Sequence, residues 1–281
     1  MHCQICPRKC FVDRNKNIGF CGASSLKIAK VMLHFWEEPI ISGEKGSGAI
    51  FFSGCPLKCE YCQNHEISFE GNGEEKTVLE LVEIIKNLEK MGAENINFVT
   101  PTHFTNEIIE ALNIYRPKIP IVWNTSGYET VETIQKLKDY VDIYLTDLKY
   151  FSSELSLKYS KAKDYFEFAS KAILEMRKNQ PKDIIKDGMM KEGVIIRHLV
   201  LPSHFEDSKK VLNWISENLG NNTFISVMSQ FTPQKNAKPP LNRILTPLEY
   251  KIVVKECEKL GFTNGFIQEL SSATSFYTPK F

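Results

Sequence analysis

The chain has no apolar run approaching the roughly 20 residues that a helical membrane span needs. It also lacks a surplus of charge. Its 35 Lys and Arg stand against 34 Asp and Glu, a formal net charge of +1 over 281 residues, so the balance gives no pull toward nucleic acid or a membrane surface. No leader-like apolar stretch opens it: Met1, His2 and Cys3 lead into polar, cysteine-rich sequence, and the expectation is a cytoplasmic protein. Internal repeats and low-complexity tracts are missing. The glycines at 43, 46 and 48 lack the Gly-Lys-Ser/Thr and following helix of a P-loop, which excludes that reading.

What is present is ordinary in bulk and uneven in detail. Hydrophobic residues make up 42% and charged residues 25%, enough for a sizeable core. Of eight cysteines, seven lie at or before residue 62. In a reducing compartment such clustering points to metal or redox chemistry before disulfides.

From residue 47 on, strand-like and helix-like segments alternate. Strands are expected at 49–52, 95–100, 119–124, 142–147, 193–201, 223–228 and 265–270. Helices are expected at 78–88, 106–115, 131–140, 164–178, 208–219 and 247–260. Thr77 with Glu80, and Thr246 with Pro247 and Glu249, form capping boxes that open two of them. Residues 180–192 and 233–240 are expected to be flexible loops. This alternation implies a parallel sheet with right-handed crossovers. The fold class expected is α/β, a full or partial (β/α) barrel whose chemistry sits at the C-terminal ends of the strands. Residues 1–46 form a cysteine-rich module and 47–281 the barrel.

Cys55, Cys59 and Cys62 have the spacing C-x3-C-x2-C and follow the first barrel strand directly. A closed zinc site wants four ligands, and a [4Fe–4S] cluster usually takes four cysteines. Three are offered here, and the next cysteine is Cys257. One iron is then left open. It can chelate the amino and carboxylate groups of S-adenosylmethionine (SAM). An electron from the cluster then cleaves a C–S bond, and the resulting 5′-deoxyadenosyl radical abstracts a hydrogen.

With the aromatic Tyr61 before the last cysteine, the loop resembles the C-x3-C-x-φ-C motif of the radical SAM superfamily. Cys62-Gln63-Asn64 is similar to the activating enzymes of glycyl-radical enzymes. Further stretches resemble the uncharacterised homologues of pyruvate formate-lyase activating enzyme: His34 to Pro39, Val99 to His103, Asn124 to Tyr128, Arg197 to Pro202, and Met228 to Pro233. Together they cover nearly the whole chain. The resemblance implies a partial (β/α)6-type radical SAM barrel. It also implies a low-potential electron donor such as flavodoxin or ferredoxin.

By strand position, the resemblance implies SAM contacts from several residues. Thr100 and Thr102 stand where activating enzymes carry Gly-Gly-Glu, with Pro101 between them offering no N–H. Asn124 follows on the third strand, Asp147 and Lys149 match Asp-Leu-Lys on the fourth, and Arg197 stands on the fifth. Arginine suits a carboxylate through its bidentate fork. Candidate catalytic or substrate contacts are Glu37 and Glu38, just before the first barrel strand, His103, which follows the second, and Gln230, which follows the sixth. Each also has a bland reading as a satisfied structural group.

Cys3, Cys6, Cys10 and Cys21 offer four ligands in a segment with little core of its own. They suit a second metal site, either zinc or iron–sulfur. Cys257 is expected to be a core thiol. Three functions remain open: a radical SAM enzyme acting on a small molecule, an activating enzyme that generates a glycyl radical on a protein partner, and a non-catalytic metal-binding interaction protein.

Overall fold

The computed structural model describes residues 2–14, 16–273 and 279. The strands are β1 (Lys27–His34), β2 (Ser47–Phe52), β3 (Glu74–Glu75), β4 (Ile96–Val99), β5 (Ile121–Thr125), β6 (Ile143–Asp147), β7 (Ile184–Lys186), β8 (Met189–Leu199), β9 (Phe224–Met228) and β10 (Gly265–Ile267). The helices are α1 (Pro39–Ser42), α2 (His65–Ser68), α3 (Val78–Lys90), α4 (Thr105–Ile114), α5 (Val131–Lys136), α6 (Ser153–Ser160), α7 (Tyr165–Asn179), α8 (Phe205–Leu219) and α9 (Pro247–Leu260).

β2, β4, β5, β6, β8, β9 and β10 pair in parallel, in that order across the sheet. Among the described residues no pairing joins β10 back to β2, so the barrel is partial. Strands β4, β5 and β6 are buried at every position, as expected of parallel strands covered on both faces. Helices cover the outside with their apolar stripes. Leu81, Val82, Ile85 and Leu88 do so on α3, and Val211, Leu212 and Ile215 on α8. Both expected capping boxes are present. The Thr77 hydroxyl accepts from the Glu80 N–H while Glu80 accepts from the Thr77 N–H at 2.7 Å, and Thr246 and Glu249 do the same. Cys257 is buried in the main core. No helix among the described residues is long and apolar enough to cross a membrane.

Three features depart from the pattern read in the sequence. β1 was not anticipated. It runs antiparallel between β2 and the short edge strand β3, with His34 opposite Ser47, and carries the chain after it into the barrel mouth. α6 was also unanticipated. Residues 180–192 are not a flexible loop: β7 and the start of β8 form a hairpin, with Lys186 opposite Met189. Its turn residues Asp187 and Gly188 both have positive φ, 52° and 75°, the two-residue turn that Asp-Gly favours.

Two buried histidines tie elements together. His198 on β8 donates from Nδ1 to the Leu148 carbonyl at 2.7 Å and accepts at Nε2 from the Ser208 hydroxyl of α8 at 2.9 Å. His103, in the 3-10 turn Thr102–Phe104, donates from Nε2 to the Ser53 carbonyl at 2.7 Å. Burial pulls both down to about 4. Between pH 6.5 and 4 the unfolded chain therefore takes up protons that the native chain refuses. Stability should be intact above pH 6.5 and fall through that window by a few kcal/mol per histidine. Denaturant midpoints across that window test this. A flat profile would show that neither imidazole is held neutral.

Candidate functional site

β2 ends at Phe52 and delivers Ser53 and Gly54 to the barrel's C-terminal rim. Gly54 has φ +84°, and a methyl group there would collide with the Cys21 carbonyl oxygen, so only glycine fits this step. The loop is then pinned from outside. The Gly54 N–H bonds the Ile67 carbonyl at 2.8 Å, the Cys55 N–H the Cys21 carbonyl at 3.0 Å, and the Glu60 N–H the Tyr159 carbonyl at 2.8 Å. Tyr61 is buried as a wedge. Its hydroxyl accepts from Tyr150 at 2.6 Å, and its ring packs against Tyr150, Tyr159 and Phe231.

Each sulfur of the triad accepts a hydrogen bond. The Leu57 N–H reaches Cys55 Sγ at 3.4 Å, the Ser160 hydroxyl Cys59 Sγ at 3.0 Å, and the Ser68 hydroxyl Cys62 Sγ at 3.3 Å. Acceptor wiring on all three sulfurs suits thiolates bound to iron, whose potential such bonds tune. Burial pushes the Cys55 thiol up to about 12 and the Cys59 thiol up to about 11, so metal loading there must displace protons. Among the described residues no group of three or more His, Cys, Asp or Glu closes around a single ion. Three buried or half-buried thiols in one loop, each accepting a hydrogen bond, are the kind of donor set a [4Fe–4S] cluster takes.

Cys59 and Cys62 open onto a cavity of about 220 Å³. Its wall carries Asn124, Asp147, Lys149 and Arg197 from the ends of successive strands, with Gln230 after β9. Asp147 and Arg197 are register partners on β6 and β8, so their side chains share a face. Arg197 Nε donates to Asp147 Oδ1 at 2.9 Å, one terminal nitrogen to Glu37 Oε2 at 3.1 Å, and the other to Asn124 Oδ1 at 2.6 Å. Lys149 Nζ donates to Asp147 Oδ2 at 2.5 Å.

The charges follow from this wiring. Burial alone would raise Asp147, but Lys149 and Arg197 outweigh it and hold the carboxyl below its usual range. Burial would lower Lys149, but Asp147 and Cys59 outweigh that and raise it. Burial raises Glu37 and Glu38 despite Arg197 nearby. The site therefore holds a firm cation pair around Asp147 and a softer carboxylate pair behind it.

Not every expected residue reaches this cavity. Thr102 is buried in the wall, its hydroxyl donating to Glu129 Oε1 at 2.8 Å alongside Trp123 and Thr125. His103 sits beside Ser53 as described above. Neither lines the cavity, and Thr100 does not either; Val99 does. The chain turns away at Thr100, whose φ is +56°. Glu38 lies behind Glu37, with Oε2 lacking a partner among the described residues.

The structure gives Glu37 a central part and adds residues that the sequence did not single out. Glu37 enters from beyond β1 and accepts from Asn97 at 3.2 Å and Asn124 at 2.9 Å as well as from Arg197. Asn97 lies inside β4, a position that motif reading does not flag. Ser160 and Ser68 reach the sulfurs from α6 and α2. A second cavity of about 560 Å³ shares Trp36, Glu37 and Gln230 with the first and continues past Phe35. Phe35 and Trp36 are both exposed there.

A family model described as the radical SAM superfamily matches residues 49–215. An uncharacterized protein of Methanocaldococcus jannaschii is 36% identical over 270 residues, covering 92% of this chain and 75% of that protein. Among solved structures, SuiB of Streptococcus suis bound to SAM aligns with a TM-score of 0.53 and 12% identity, over 81% of this chain and 51% of that one. Methylornithine synthase (PylB) aligns with a TM-score of 0.51 and 15% identity, over 78% and 70%. The chain spans about half the length of SuiB, and at these identities the two structures speak to fold alone.

Proposed function

Because the chain belongs to the radical SAM superfamily, whose chemistry rests on a [4Fe–4S] cluster and SAM, we propose that Cys55, Cys59 and Cys62 hold that cluster and that the 220 Å³ cavity receives SAM. The cluster and SAM supply, when bound, a carbon radical able to abstract hydrogen. The chain's own residues bind, orient and shield. The observation that carries this reading is that two of the three hydrogen-bonded sulfurs share one small cavity with Lys149, Asp147, Arg197 and Asn124. Lys149 would face the SAM carboxylate, with two of its three N–H donors uncommitted among the described residues beyond the Asp147 bond. Asn124 and Glu37 offer oxygens toward the SAM amino group.

The substrate is a small molecule that enters through the 560 Å³ cavity, past Trp36 and Gln230. A second reading, a glycyl-radical enzyme or another polypeptide as partner, is favoured by one observation: that cavity runs outward between exposed aromatic rings. SuiB, similar in fold, has been solved bound to its precursor peptide SuiA.

The test is anaerobic reconstitution with iron and sulfide, then incubation with SAM and dithionite. 5′-Deoxyadenosine and methionine are the expected products. Reconstituted protein that takes up iron but leaves SAM whole under reducing conditions would sink the proposal, and SAM-free zinc protein would favour the metal-binding interaction protein instead.

A further inference from the structure

The N-terminal segment is ordered without an apolar core of its own. Its large apolar residues Phe11, Ile18 and Phe20 are exposed, at 53%, 65% and 38%, while Cys6 and Cys21 are buried. Its backbone is also strained where a core would be needed to offset the cost. Lys9 and Phe11, the non-glycine neighbours of Cys10, both have positive φ, 38° and 54°, a conformation that costs a residue with a side chain. Segments of this kind need a staple.

The four thiols converge on one place. The Cys3 N–H bonds the Val12 carbonyl at 2.9 Å and the Phe11 N–H bonds the Cys3 carbonyl at 3.1 Å, which lays Cys3 beside the two residues that follow Cys10. The Lys9 N–H closes a turn onto the Cys6 carbonyl at 3.0 Å. The sulfurs of Cys10 and Cys21 both lie beside Gly19, 2.9 and 3.9 Å from where a side-chain carbon on it would stand. Cys6 lies within electrostatic reach of Cys3 and Cys21, and Cys21 of Cys3 and Cys10. A cleft of about 730 Å³ reaches Cys3 from the surface, giving an ion a way in.

We infer that Cys3, Cys6, Cys10 and Cys21 bind a soft metal as four thiolates, zinc or an iron–sulfur cluster, and that this site braces the Cys55–Cys62 loop. Four thiolates close a tetrahedral zinc site with bonds of about 2.3 Å, so loading would tie the turns of the segment together. The brace is direct. The Cys21 carbonyl accepts from the Cys55 N–H at 3.0 Å. Arg8, between Cys6 and Cys10, donates to the Pro56 carbonyl at 2.8 Å, to the Ser160 carbonyl at 3.0 Å and to the Lys161 carbonyl. Ser160 is the residue whose hydroxyl bonds Cys59 Sγ. A shift at Cys6 or Cys10 therefore reaches a thiol of the triad through two residues.

The experiment removes the triad first, so that its outcome is independent of the SAM reading. A chain with Cys55, Cys59 and Cys62 all changed to Ala, purified anaerobically and offered zinc, or iron with sulfide, is expected to keep about one zinc or one acid-labile cluster per chain. Adding Cys6→Ser and Cys21→Ser should remove it. Equal metal with and without those serines, or none in either chain, overturns the proposal. Should the serine variants not fold, Cys10→Ser in the full chain should lose the second metal to a chelator at least tenfold faster than the parent, and an unchanged rate overturns it equally. Arg8→Met tests the brace. The second metal stays, while the electron paramagnetic resonance signal of the triad cluster shifts; an unaltered signal would mean the two sites are not coupled.

Discussion

Cys59→Ala is expected to abolish SAM cleavage, by more than about a thousandfold, and to leave less iron bound than in the parent. The physical reason is the count of ligands. A cubane with one open iron is already held at three corners, and loss of one thiolate leaves two. Cys59 is also wired to its surroundings. Its Sγ accepts from Ser160 at 3.0 Å and feels the Lys149 charge. The informative contrast is Ser160→Ala, which keeps all three thiolates and removes one bond to sulfur. That variant should load iron normally but be harder to reduce, because hydrogen bonds to cluster sulfur raise its potential. Iron content, sulfide content and 5′-deoxyadenosine yield separate the two. Parent-level cleavage by Cys59→Ala would remove this loop from the chemistry.

That loop was legible in the sequence because ligand spacing is a local property. Three cysteines in eight residues, after a buried strand, need no tertiary information to be found. The strand and helix alternation was legible for a similar reason, since buried parallel strands and amphipathic helices write their period into the chain. What escaped depended on direction or distance. Thr100, Thr102 and His103 stand at a strand end, but the left-handed φ of Thr100 turns the chain into the wall, and no residue pattern announces a positive φ at threonine. Glu37 was visible as a candidate only by its place before a strand. Its importance lies in partners 60, 87 and 160 residues away. β1 reads as mixed because its burial alternates irregularly, and α6 because it has little amphipathic contrast, with charged and serine positions interleaved. The hairpin at β7 and β8 did carry a signal, Asp187-Gly188, masked by the polar residues around its short apolar pairs, Lys182, Asp183, Lys191 and Glu192.

Arg197→Met is expected to unfold the barrel mouth, whereas Lys149→Met should spare the fold and cost SAM affinity. The sequence treats the two cations alike; the geometry separates them. Arg197 spends its fork on Asp147, Glu37 and Asn124, bridging three elements of the site. Its removal strands buried carboxylates, a loss of about 3–5 kcal/mol when a buried pair is broken on one side. Among the described residues the Lys149 ammonium bonds Asp147 alone, and Asp147 keeps Arg197 as a partner when the lysine is gone. The lysine is thus the cation with donors to spare for a bound carboxylate, and its loss should weaken SAM binding by about tenfold to a hundredfold, the scale of one charge-assisted hydrogen bond. Thermal melts and calorimetry with SAM on reconstituted protein read the two effects separately. If Arg197→Met melts with the parent while Lys149→Met binds SAM as tightly as the parent, then the fork is not a brace and the ammonium does not meet the ligand.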